Sequence, residues 1–192
     1  MSELPLDIDA LRKAVADGRS FEYRFFWGHR REPDGVFSQW WPCRFEVDGQ
    51  LYSTAEQFMM AGKARLFGDD VALTAILAES DPAACKKLGR RVRGFAEAAW
   101  AAARFDLVVA GNVAKFGQSD HLQGILESTG DSLLVEASPT DRIWGIGLRA
   151  SDPRARDPRT WQGKNLLGFA LVSARARLRA ARGEGRPWGS SR

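Results

Sequence analysis

A chain of 192 residues with an ordinary apolar fraction fits a single hydrophobic core. It has no run of about 18 apolar residues and no basic-then-apolar N-terminus, which argues against a membrane span or secretory signal and leads us to expect a cytoplasmic protein. The net charge of +4 is uneven, because six Arg against Glu184 from Arg175 onward leave the body near neutral.

In chain order, Leu6 to Val15 has apolar residues at helical spacing and stops at Asp17-Gly18. Phe21 to Trp27 is aromatic-rich and reads as a strand. Arg44 to Val47, Asp48-Gly49 and Gln50 to Tyr52 predict a hairpin, since Asp-Gly tolerates the positive φ angles of a type I′ turn. A helix is expected from Ser53 to about Phe67, with Ser53 and Glu56 as a capping box. Asp69-Asp70 caps a further helix ending near Ala78, and Asp81-Pro82 starts one reaching Arg91. Phe95 to Lys115 is the longest helical pattern, followed by a short helix over Asp120 to Ser128 and a strand over Leu133 to Glu136. Asn165 is expected to cap a last helix that begins at Leu166.

Strands are few and not interleaved with helices, and Gly145-x-Gly147 is too short for a dinucleotide fingerprint. The expected fold is therefore α+β and predominantly α-helical, one domain over 1–182 with a few short strands, and a disordered basic tail over 183–192. Cys43 and Cys85 are far apart and lack CxxC spacing, so they are assigned to packing. With only His29 and His121 beside them, no metal and no cofactor are expected.

The segment Tyr52 to Ala64 is the most informative. Residues seven apart on a helix superpose two turns on, so Glu56 and Lys63 share one stripe of an otherwise apolar helix. Burial there would raise the carboxyl pKa and lower the amine pKa, toward values useful for proton transfer or nucleophilic attack. A capping role for Glu56 and a solvated Lys63 are the plainer alternatives. Glu136 to Gly147 places Asp141 three residues before Trp144 in a turn-rich stretch, where Asp141 is either a site residue or a turn-maker. Lys86, Lys87, Arg90, Arg91 and Arg93 form a basic cluster, for which a solvated face outweighs phosphate binding.

Taken with Phe26-Trp27-Gly28-His29-Arg30, Phe37-Ser38-Gln39-Trp40-Trp41-Pro42, Ala114-Lys115-Phe116-Gly117-Gln118 and Gly163-Lys164-Asn165-Leu166-Leu167-Gly168, these segments make the chain resemble NADAR/YbiA-like N-glycosidases from about residue 21 to residue 178. The resemblance implies a mainly helical domain with its pocket formed by the Glu56 helix, the Asp141 turn and the aromatic loops. It further implies hydrolysis of a bond between ribose C1 and an exocyclic amine. The substrate is either ADP-ribosylated guanine, with DNA as a partner, or a phosphorylated ribosylamino-pyrimidine of riboflavin synthesis.

On that footing Lys63 is the expected nucleophile of a Schiff-base route, with Glu56 moving protons and Asp141 holding ribose hydroxyls. Direct hydrolysis, in which Glu56 or Asp141 activates water, is the rival. Trp27, Trp100 and Trp144 are candidates to stack on a base, with core packing the main alternative for Trp100. Gly28, His29, Ser38, Trp40 and Gly145 are expected at the pocket through the same motifs. Asn165 is expected either to present backbone N–H groups to a phosphate or simply to cap its helix. A module that binds ADP-ribose without cleaving it is the alternative from another functional class.

Overall fold

The computed structural model describes residues 4–183. In chain order the elements are α1 (Ile8–Ala16), β1 (Tyr23–Phe26), β2 (Phe45–Val47), β3 (Gln50–Tyr52), α2 (Ala55–Leu66), α3 (Asp70–Leu77), α4 (Pro82–Gly89), α5 (Glu97–Gly117), α6 (Asp120–Ser128), β4 (Leu133–Glu136) and α7 (Leu166–Gly183). Short 3-10 turns occupy Asp34–Phe37, Pro153–Arg156 and Pro158–Thr160. The architecture is the helix-rich α+β expected. Residues 184–192 of the anticipated tail lie outside the described residues, and Gly183 closes α7. Among the described residues no helix is long and apolar enough to cross a membrane.

The chain gathers into two compact units, one discontinuous (Met1–Ser38 with Gly124–Arg192) and one continuous (Gln39–Gln123). The discontinuous unit is organised on a parallel pair, β1 against β4, in register from Tyr23↔Leu133 to Phe26↔Glu136. Leu133, Leu134 and Val135 are all fully buried, as expected of a parallel strand covered on both faces. Helix α7 lies so close on β4 that a Cβ on Gly168 would collide with the Leu134 carbonyl oxygen. Asn165 completes this contact at φ 53°. Its side-chain oxygen accepts from the Glu136 N–H at 2.9 Å, and its amide donates to the Leu134 carbonyl at 2.9 Å. The capping role expected of that side chain is thus replaced by one in the sheet, where it extends the β4 ladder in place of a third strand.

The continuous unit packs α3, α4 and α5 around α2. Small residues set the spacing: a Cβ on Gly62 would come within 2.5 Å of Leu107, and one on Gly111 within 2.6 Å of Phe58. The close approach that Gly62 permits is therefore made by α5. The β2–β3 hairpin turns through Asp48 (φ 51°) and Gly49 (φ 76°), the positive pair required of a type I′ turn. Asp69 caps α3 through the Ala72 N–H, and Asp81 with its following proline starts α4.

Several boundaries differ from expectation: β1 is shorter, Tyr23–Phe26 rather than Phe21 to Trp27, α4 ends at Gly89 rather than Arg91, and three helix starts shift. Helix α1 starts at Ile8 because Asp7 takes the Ala10 N–H. Helix α5 starts at Glu97 because Phe95 is held edge-on against Phe67. Helix α2 is capped by Thr54 rather than Ser53. The Thr54 hydroxyl accepts from the Gln57 N–H at 3.1 Å, and the Gln57 side chain accepts from the Ser53 N–H at 2.7 Å. The capping device has slipped one residue along the chain, with Gln57 in the place expected for Glu56.

Candidate active site

That slip decides the local job of Glu56. Relieved of capping, its side chain turns inward and is only 3% exposed. Its charge is one of the influences that, with burial foremost and Glu79 next, push the neighbouring Cys85 thiol up to about 12. Seven residues on, roughly 10 Å along the helix axis, Lys63 is half-buried. Its ammonium lies 4.1 Å from the Phe95 ring centroid and 5.7 Å from that of Trp100. Burial lowers the Lys63 pKa below the ordinary lysine value, and the Glu97 carboxylate partly offsets this. Two effects of opposite sign therefore bear on this amine. Aromatic faces favour the cation, whereas the scarcity of water favours the neutral nucleophile.

Trp100 is 8% exposed, so its packing role and its place over Lys63 coincide. On the same buried stripe of α5, Arg104 reaches Glu97 at 3.2 Å. Farther along, Lys115 is 1% exposed, with its ammonium 5.0 Å from the Phe116 ring. Burial pulls the Lys115 pKa down to about 8, against a smaller opposing pull from Cys43. Sequence reasoning quoted Lys115 only as part of a motif. The available signal was its spacing, since Trp100, Arg104, Val108, Gly111 and Lys115 follow one another at helical intervals along a buried face. Trp40 is half-buried, with the Lys86 ammonium 5.8 Å from its ring, and Arg93 of the basic cluster is tied to Asp69.

In the discontinuous unit the remaining expected residues gather at the carboxyl ends of β1 and β4. Trp27, Gly28 and His29 leave β1, where the Ala137 N–H donates to the Phe26 carbonyl. Trp27 is 56% exposed, Gly28 turns the chain at φ 83°, and His29 is half-buried. The Asp141 loop leaves β4. Its carboxylate accepts from the Ile143 and Trp144 N–H groups, each at 2.8 Å, through the same oxygen Oδ1. Asp141 is therefore a turn-maker, with its second oxygen outside that turn. Gly145 is required by contact, since a Cβ there would stand 2.8 Å from the Glu136 carbonyl oxygen. Trp144 is half-buried, while Ser38 and Asn165 are buried.

A model of the NADAR domain matches residues 25–179. The chain belongs to the NADAR domain family. It is 44% identical over 161 residues to a protein named N-glycosidase R617 of Acanthamoeba polyphaga mimivirus, covering 80% of this chain and 95% of that one. A maize protein named riboflavin biosynthesis protein PYRR, chloroplastic, is 34% identical over 75% of this chain and 23% of its own length. The NMR structure of the Escherichia coli protein YbiA superposes with a TM-score of 0.71 at 22% identity, over 97% of this chain and all of that one, and shares the fold. As a NADAR protein with this kinship, the chain is an N-glycosidase, an enzyme that hydrolyses glycosyl bonds.

Proposed function

We propose that this NADAR enzyme cleaves the bond between ribose C1 and an exocyclic amine of a nucleobase-like group, with Lys63 as nucleophile. The observation that carries the reading is the Lys63 amine, half-withdrawn from water against Phe95 and Trp100 and lowered in pKa by that burial.

A sugar on an exocyclic amine can open its ring to an imine at C1. The neutral Lys63 amine adds to that carbon, a proton passes to the base nitrogen, and the C1–base bond breaks to leave an enzyme imine. Water then adds at C1 and the C–N bond to Lys63 breaks, releasing ribose as its aldehyde and restoring the amine. Glu56, buried on the same helix, carries the proton between the two nitrogens.

Borohydride reduction during turnover, followed by peptide mass spectrometry, tests this. A sugar adduct on Lys63 supports the imine. Turnover with no adduct, surviving in Lys63→Met, refutes it and leaves direct hydrolysis by water.

For the leaving group the reading favours an ADP-ribose adduct of guanine over a phosphorylated ribosylamino-pyrimidine. Lys87, Arg90 and Arg91 are exposed cations in a stretch free of acid from Pro82 to Ala96, which suits a substrate carried on a phosphate backbone. The riboflavin name of the maize relative supports the pyrimidine as the second reading. Release of ribose-containing product from each substrate, followed by chromatography, separates the two. Saturable binding with no release from either would leave a binding module.

A further inference from the structure

Arg104 has no part in the chemistry above. It lies on α5, two turns after Glu97 and one after Trp100, so the three share one stripe of that helix. The residue is 7% exposed, and its Nε is buried with no hydrogen-bond partner among the described residues. Its Nη1 donates to the Glu97 carboxylate at 3.2 Å, and that carboxylate is 66% exposed. Withdrawing a guanidinium from water is costly, and one contact with a solvated carboxylate offsets little of that cost. An apolar side chain would serve the packing of α5 as well, so the pair calls for another explanation.

Glu97 sits between Phe95 and Trp100, the two residues whose rings stand 4.1 and 5.7 Å from the Lys63 ammonium. Its charge is the influence that counters burial at that amine. The other charges on the packed elements are engaged elsewhere: Arg65 donates to the Tyr52 hydroxyl, Arg93 pairs with Asp69, Lys86 stands over Trp40, and Glu56 bears on Cys85. Lys87, Arg90 and Arg91 are exposed. An exposed carboxylate in the first turn of a helix has several rotamers open to it and, unanchored, turns to water. Tied to a guanidinium that is itself locked by burial, it keeps one position.

We propose that Glu97 and Arg104 are positioning residues for Lys63: the buried guanidinium anchors the Glu97 carboxylate beside the amine, and the anchored charge holds the Lys63 head group as an ammonium against Phe95 and Trp100. The pair thereby sets how much of Lys63 is a neutral nucleophile at a given pH. It also shields the resting amine from stray aldehydes, which add only to the neutral form. This value to the reaction rests on the reading of Lys63 as nucleophile, whereas the physical content, one carboxylate held beside one amine, does not.

Competitive labelling of the full chain with acetic anhydride across pH, read on the Lys63 peptide by mass spectrometry, follows the amine without any substrate. At a pH one unit below the parent's labelling midpoint, Glu97→Gln is expected to label Lys63 roughly twofold faster or more, because the charge favouring the ammonium is gone. Arg104→Met should do the same, since Glu97 then swings into water, and Arg104→Lys should bring labelling back toward the parent. The double variant should label no faster than Glu97→Gln alone, because Arg104 acts through Glu97. In turnover, the rising limb of kcat/KM against pH should move to lower pH in both single variants. Glu97→Gln alters an exposed group and Arg104→Met places an apolar chain at a buried position, so both should keep the parent's circular dichroism. Unchanged Lys63 labelling in Glu97→Gln overturns the proposal, and that variant carries the test even where Arg104→Met does not fold. Faster labelling when Arg104→Met is added to Glu97→Gln overturns the anchoring role. Shifted labelling with no borohydride adduct on Lys63 would leave the pair standing and sink the nucleophile instead.

Discussion

Replacing Lys115 by Met has a pH signature that can be worked out from its surroundings. The amine is buried and held at about 8, against 10.5 for an ordinary lysine. That difference of about 2.5 pH units, at about 1.4 kcal/mol each, makes the charged amine cost the folded state roughly 3 kcal/mol. At pH 7 both folded and unfolded chains carry the proton, so the full cost is felt. Between pH 8 and 10.5 the unfolded chain holds more protons at this site, and stability at this site rises with pH until the cost is gone. The Met variant feels none of this.

Its stability minus the parent's should therefore fall by roughly 3 kcal/mol between pH 7 and pH 10.5, whatever its packing difference. Cys85, raised to about 12, weakens both proteins alike above pH 9 and cancels in the difference. Carrying Cys43→Ala in both chains removes the thiol coupled to Lys115. Urea unfolding followed by circular dichroism across this range reads the difference directly. A gap constant to within about 0.5 kcal/mol would refute the assignment of Lys115 as a buried amine of low pKa.

Lys63→Met should lower kcat/KM by about a thousandfold or more, read with either candidate substrate, with no loss of melting temperature beyond a few degrees. The alkaline-rising limb of the parent's kcat/KM against pH should lie below 10.5, because burial lowers the Lys63 pKa. Gly168→Ala should destabilise by about 2 kcal/mol or more, seen as a drop in melting temperature, because the added carbon meets backbone rather than a yielding side chain. Asn165→Ala removes both side-chain bonds to β4 and should cost about 2–4 kcal/mol, whereas a mere capping role would cost about 1.

Local chemistry was the legible part of the sequence. Asp48-Gly49, Asp69 and Asp81-Pro82 act within three or four residues of themselves, and each performs the turn or cap that its type dictates. The bounds of α6 and β4 were likewise readable from local pattern. What local reading misplaced depended on partners distant in sequence. Asn165 looked like a cap because nothing nearby reveals that it faces Leu134 and Glu136. Ser53 and Thr54 compete for the same helix end, and the choice goes with burial of Glu56, which is a tertiary event. For the site, Glu56 and Lys63 could be paired by helical spacing, but the aromatic cover over Lys63 comes from residues 95–100.

The parallel pairing of Tyr23–Phe26 with Leu133–Glu136 has a consequence for how the polypeptide matures. During synthesis β1 leaves the ribosome more than a hundred residues before its partner strand β4 exists, while the whole 39–123 stretch is finished in between. Closing so long an excursion is entropically slow, and until then an aromatic strand edge stands open to wrong pairing. The order of assembly is therefore built into the connectivity: the interposed helices are the first part able to fold, and the sheet is sealed last, when Gly168 lets α7 settle onto β4.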